Sequence, residues 1–202
     1  MKPLEDREGA RVPLYTAISL TMMKRGHLAW PVIAAGMFCC ASEEPKQLPA
    51  PQVDRVGFPK NYAADYTVFR QFERSSNQVV TVYGNATAAK VTGLSDLPFA
   101  NGAVLVMETA TVALDAAGRR AKGADGTFTK VGVNGLHVMR RGQNFGESYG
   151  ALRAGEWEFA EYRADGSYIT PPEKSATCAQ CHIKAGGDHD FVYRGPLPEV
   201  KK

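Results

Sequence analysis

The stretch Asn101-Gly102-Ala103-Val104-Leu105-Val106-Met107-Glu108-Thr109 decides the fold class. Asn-Gly turns the chain, and the run from Ala103 to Thr109 has the apolar, β-branched character of a strand. Upstream, Gln78 to Tyr83 (Gln-Val-Val-Thr-Val-Tyr) reads the same way. Downstream, Thr127 to Val133 and Leu136 to Arg140 flank Asn134-Gly135, the strongest hairpin-turn signal in the chain. Glu156 to Arg163 sets Trp157, Phe159 and Tyr162 among polar residues and then meets Asp165-Gly166. Helical spacing of Tyr62, Tyr66 and Phe69 predicts a helix over Pro59 to Glu73. Asn85 is placed to cap a short helix through Ala89-Lys90 that stops at Gly93. The expectation is an α+β fold, mainly β: a small antiparallel sheet with a few short helices and no internal repeat.

Near the carboxyl end stands Thr177-Cys178-Ala179-Gln180-Cys181-His182. Cys-x-x-Cys-His is the attachment signature of c-type haem. Two thiols add across the two porphyrin vinyl groups, and the two intervening residues match the vinyl separation. The histidine that follows directly is positioned to ligate iron. A helix is expected here, with Thr170 as cap, Pro171 and Pro172 in its first turn, Glu173 at its positive end and Gly186-Gly187 as its stop. A zinc site would need a second pair of soft ligands, and no cysteine follows Cys181. A thioredoxin-like pair would open a helix after a strand and would not need the trailing histidine. One covalent haem c, held by Cys178 and Cys181 with His182 on the metal, is the expectation.

At 202 residues, with 44% hydrophobic and 22% charged content, the composition is that of an ordinary globular chain. A net charge of +3 and the lack of a basic stripe give no case for nucleic acid. Met22-Met23-Lys24-Arg25, the apolar run His27 to Cys40 and the small Ala41 have the layout of a secretory signal, with translation starting at Met22 or Met23 and residues 1–21 as an upstream extension. Cys39 or Cys40 is an alternative lipid-anchored first residue, against which Met37-Phe38 are large for such a site. Export to the periplasm agrees with haem c, which is attached outside the bacterial cytoplasm. Removal of residues 1–41 leaves a nearly neutral remainder, with 42–57 as an extended linker (Pro45, Pro49, Pro51) and 58–202 as the haem domain.

The order of these segments resembles the cytochrome P-460 family, which includes the cytochromes c′-beta. The resemblance is carried by Phe58-Pro59-Lys60-Asn61-Tyr62, Val82-Tyr83-Gly84-Asn85, Phe99 to Val106, Val138-Met139-Arg140-Arg141, Gly155-Glu156-Trp157, the Cys178–His182 motif and Asp190-Phe191-Val192-Tyr193. It implies a periplasmic homodimer whose haem iron is open or weakly filled opposite His182. Within the family, cytochromes P-460 carry a lysine bonded to the porphyrin and oxidise hydroxylamine. The c′-beta type lacks the bond, has an apolar distal side and binds nitric oxide or carbon monoxide.

Here the cross-linking position holds Met107, the family's distal acid aligns with Leu136 (or, one residue on, His137), and the distal arginine with Val80. All three departures point to an apolar pocket and to the c′-beta type. Met107 is read as a core methionine, a haem contact or an axial ligand, the last giving a His/Met electron-transfer cytochrome with a small redox partner. Alternation along a strand allows only one of Leu136 and His137 to face the haem, and Leu136 is the expectation. Lys90, His189, Arg140 and Arg141 read as solvated, Trp157 and Phe159 as core, and Asp190 and Tyr193 as packing beside the haem helix.

Overall fold

In the computed structural model the described residues are 47–74 and 77–193. The expected signal segment, with Cys39 and Cys40, lies outside them. Six strands form one antiparallel sheet: β1 (Thr67–Glu73), β2 (Gln78–Gly84), β3 (Val104–Val112), β4 (Lys130–Arg141), β5 (Trp157–Tyr162) and β6 (Tyr168–Thr170). Their order across the sheet is their order in the chain, so each strand pairs with its sequence neighbours. Two α-helices, α1 (Tyr62–Asp65) and α2 (Ala176–Ile183), and several 3₁₀ turns complete the described fold. The α+β, mainly β expectation matches this architecture.

Two local expectations are corrected. The helix expected over Pro59 to Glu73 is a single turn, α1, which ends where Tyr66 becomes extended. Thr67 then begins edge strand β1, whose β-branched and aromatic residues suit a pleated surface. A bulge between Val68 and Arg70 lets Phe69 lay its ring over Gly84, where an added Cβ would come within 2.3 Å of that ring. The second correction concerns Asn134-Gly135. It is no hairpin turn but a bulge inside the continuous strand β4: Gly135 pairs with Thr109 and Val133 with Ala110, leaving Asn134 extra. The Asn134 amide bonds Thr111 at 3.1 Å. The reversal between β3 and β4 lies instead in a ribbon over 113–129, where Asp115 and Asp125 accept backbone N–H groups in two turns.

Strand alternation gives the sheet two different faces. On the far face Tyr83, Val104, Val106, Leu136, Val138, Ala160 and Tyr162 form a core covered by Val56, Phe58, Tyr62 and Tyr66. Residues 47–57, expected as part of a linker, have no helix or strand; Ala50 packs with the near-face core, and residues 54–57 are bonded along the far face. Asp54 accepts from the Val56 and Gly57 N–H groups and from the hydroxyls of Tyr162 and Tyr168. Arg55 bonds the buried Glu158 and lies 4.3 Å over the Phe145 ring. On the near face Leu105, Met139, Trp157 and Phe159 pack with Phe99, Tyr149 and two alanines of α2. Helix α2 therefore covers only part of that face.

Candidate functional site

Helix α2 sits where it does because its inward residues are small. Ala176 and Ala179 are buried against the near face, which turns Cys178 half inward and leaves Cys181 exposed. The helix starts later than the sequence suggests. Pro172–Lys174 form a separate 3₁₀ turn, and Ser175 precedes Ala176 with its hydroxyl bonded to the Pro172 carbonyl and to Tyr149. Thr170 is not the cap: it ends β6, and its hydroxyl donates to Glu161 at 3.0 Å. Gly186, at φ 82°, provides the stop.

His182 Nδ1 lies 2.8 Å from the Phe191 carbonyl. A carbonyl only accepts, so Nδ1 carries the proton and the Nε2 lone pair is left free for a metal. The ring packs 4.7 Å from Phe159 and 5.6 Å from Tyr193. Burial holds this imidazole below its ordinary pKa; the Phe191 carbonyl opposes that and the charge of His137 adds to it. The neutral, ligating form is favoured.

Between α2 and the sheet lies a cavity of about 430 Å³. Its sheet wall is Val82, Leu105, Met107, His137, Met139 and Phe159; the opposite side holds Thr177, Cys178, Cys181, His182, Val192 and Tyr193. Both thiols are free. Burial pushes the Cys178 thiol up to about 11, with the Glu161 charge contributing, whereas a redox-active dithiol needs a depressed value. Among the described residues no three His, Cys, Asp or Glu side chains converge to hold a metal ion, so the zinc reading finds no second ligand pair. Two thiols and one imidazole with a free Nε2, all on one side of a mainly apolar slot, suit a covalently tethered, flat, hydrophobic metal macrocycle.

Most sequence candidates converge here, with one exchange. Met107 lines the cavity and is half-buried. Leu136, expected to face the haem, is fully buried on the far face beside Tyr162, and the expectation is corrected: its strand partner is Glu108, on the face away from α2. His137 pairs with Met107 and faces the cavity instead. Its Nε2 lies 3.2 Å from Glu161 Oε1, on the adjacent strand. Glu161 was not singled out from the sequence; its position two and four residues beyond Phe159 and Trp157 on one strand face was the available signal. Val80 is buried one row beyond Val82, between Phe72 and Thr109. Lys90 is exposed on a 3₁₀ turn. His189 is half-buried in another such turn, and neither residue lines the cavity. Arg140 points to the far face, near Tyr66, so it does not reach the cavity from there. Arg141, read as solvated, is instead engaged by Asp190 at 2.7 Å and Glu156 at 3.0 Å.

A comparison with curated proteins finds no match. The family model described as Cytochrome P460 matches residues 59–194, which span α1, all six strands, α2 and the Phe191 carbonyl on His182. With the cavity and its Cys-x-x-Cys-His wall inside that match, the chain belongs to the cytochrome P460 family and is a haem-binding cytochrome.

Proposed function

We propose that this chain is an exported c-type cytochrome of the c′-beta kind, with one haem joined by thioethers to Cys178 and Cys181 and ligated by His182 Nε2. The single observation that carries the reading is the division of the cavity: attachment groups on one side, and Val82, Leu105, Met107 and Met139 on the other. Bound there, the haem supplies an iron coordination site and one-electron redox chemistry. The protein's part is to hold the imidazole neutral and oriented through the Phe191 carbonyl, and to line most of the remaining space with apolar groups. Such a lining favours diatomic ligands that need little hydrogen bonding, nitric oxide and carbon monoxide, and disfavours ionic ones. A homodimeric assembly accompanies this reading.

A second reading is favoured by one observation, the presence of His137 rather than Leu136 on the sheet wall with Glu161 beside it. Imidazole and carboxylate can hold and move a proton, which is what hydroxylamine oxidation requires. Optical spectra of oxidised and reduced protein, with and without nitric oxide, test the first reading. Uptake of nitric oxide by the reduced protein is expected, and failure to bind nitric oxide or carbon monoxide overturns it. Denaturing mass spectrometry separates the two: haem on the Cys178–Cys181 peptide alone fits the first, and haem on an additional peptide revives the enzyme. A sulfur-to-iron charge-transfer band lost in Met107→Ala would assign His/Met electron transfer instead.

A further inference from the structure

We propose that Asp190, clamped by Arg141, is the positioning residue for His182, fixing the Phe191 carbonyl that holds the imidazole and so setting how strongly Nε2 donates to the haem iron. The proposal rests on the haem reading above. Phe191 is held in an unusual shape: it and Asp190 are consecutive non-glycine residues in the left-handed region, at φ 60° and 50°. Side chains disfavour that region, so the pair persists only where the surroundings impose it.

The surroundings do so from every side. Asp190 is 5% exposed, and both its carboxylate oxygens are engaged. Oδ1 takes Arg141 at 2.7 Å and Oδ2 takes the Phe99 N–H at 3.0 Å. Its carbonyl accepts the Trp157 indole N–H at 2.9 Å, and its N–H reaches the Gly187 carbonyl at 2.9 Å. Arg141 and Trp157 are register partners at the ends of β4 and β5, so the clamp is built on the same strands that wall the cavity. Arg141 is itself steadied by Glu156 at 3.0 Å. Next door, the Phe191 N–H bonds the Gly186 carbonyl and its ring lies against Gly155, where an added Cβ would come within 2.9 Å. The chain of contacts runs from sheet to Arg141, to Asp190, to the Phe191 carbonyl and to His182 Nδ1. Hydrogen bonding at the far nitrogen of a metal-bound imidazole raises its basicity and fixes its orientation. A loosened carbonyl weakens both.

The test uses haem-loaded protein carrying Asp190→Asn, with Glu158→Gln as the control. Glu158 is an equally buried carboxylate, but it lies on the far face, paired with Arg55. Resonance Raman reads the iron–histidine stretch of the ferrous state, and a redox titration reads the midpoint potential. Asp190→Asn is expected to lower the stretching frequency and to favour the ferrous state about tenfold, close to 59 mV for one electron. Glu158→Gln is expected to lower thermal stability and leave both readouts in place. Should Asp190→Asn not fold, Arg141→Gln carries the same expectation with a smaller shift, and Arg141→Lys restores part of it. An unchanged band and potential in the folded variants overturns the proposal, as does an equal shift in Glu158→Gln. Wild-type protein without thioether-bound haem overturns the haem reading itself, a separate outcome seen before any variant is made.

Discussion

Replacing Lys130 by methionine isolates one buried charge on the far face of the sheet. Glu108, 2% exposed, accepts the Tyr62 hydroxyl at 2.5 Å and lies 2.5 Å from Lys130 Nζ, which also bonds Tyr83 at 2.9 Å. Methionine keeps the apolar stem and removes the cation, stranding the carboxylate with one hydroxyl donor. Breaking a fully buried ion pair from one side costs about 3–5 kcal/mol. The Lys130 side chain is 29% exposed, so water replaces part of what is lost. The expected cost is therefore about 2–3 kcal/mol, or a fall in Tm of about 5–10 °C for a domain of this size.

Burial pulls the Lys130 pKa down, but the bonds to Glu108 and Tyr83 and their charges outweigh it, and the net direction is up. A raised cationic pKa gives stability that is complete below the unfolded value and is lost as pH rises through the folded one. At pH 7 the whole effect is present. Urea and thermal unfolding of the haem-loaded protein at pH 7 measure it. Adding Glu108→Gln, which removes the stranded charge and still accepts from Tyr62, should recover at least half the loss. A single variant within about 0.5 kcal/mol of wild type, or a double variant no more stable than the single, refutes the reasoning.

Other outcomes follow from the same geometry. Burial raises the Asp54 carboxyl, but bonds from Tyr168, Gly57, Tyr162 and Val56 outweigh it, so its net pKa is depressed. Its stabilising effect is present above the unfolded value of about 3.9 and is lost as pH falls through the folded one. Asp54→Asn should accordingly cost about 1–2 kcal/mol at pH 7 and progressively less as the pH falls below the unfolded value, as urea titrations at a series of acid pH values would read. Gly155→Ala places a methyl 2.9 Å from the Phe191 ring at a φ of +60°. It should lower stability by about 1–3 kcal/mol in thermal unfolding and disturb the His182 spectrum with it. His137→Leu removes the polar group from the sheet wall. In the carbon monoxide complex the C–O stretch should stay put if the wall acts as apolar and rise if His137 donates to the ligand, so infrared spectroscopy separates the two functional readings.

The parts of this fold that could be read from the residues were those where local chemistry and tertiary role agree. Val104 to Thr109 and Gln78 to Tyr83 are rich in β-branched residues and mostly buried, and they form strands. Cys178, Cys181 and His182 carry their geometry in their spacing, and the helix brings them to one wall. The misreadings occur where two patterns coexist. Tyr62, Tyr66 and Phe69 share a helical spacing, but two of them cover the far face and the third caps Gly84 from an edge strand. Asn134-Gly135 has the chemistry of a turn and serves as a bulge, because the chain reverses further back at Asp115 and Asp125. Leu136 and His137 show the limit of alternation: a period of two says that neighbours face opposite ways, while only pairing with Met107 and Glu108 says which way. Contacts made by backbone groups, such as the Phe191 carbonyl on His182, leave no mark on residue identity.

Because the strands join edge to edge in chain order, no strand has to thread between two already formed. The floor of the slot can therefore assemble from the amino end onward, while α2 and the turn through Tyr193, which supply its opposite wall, come last in the chain. On the proposed reading, a haem tethered at Cys178 and Cys181 would travel with that short helix as it settles on a sheet whose strands already have their partners.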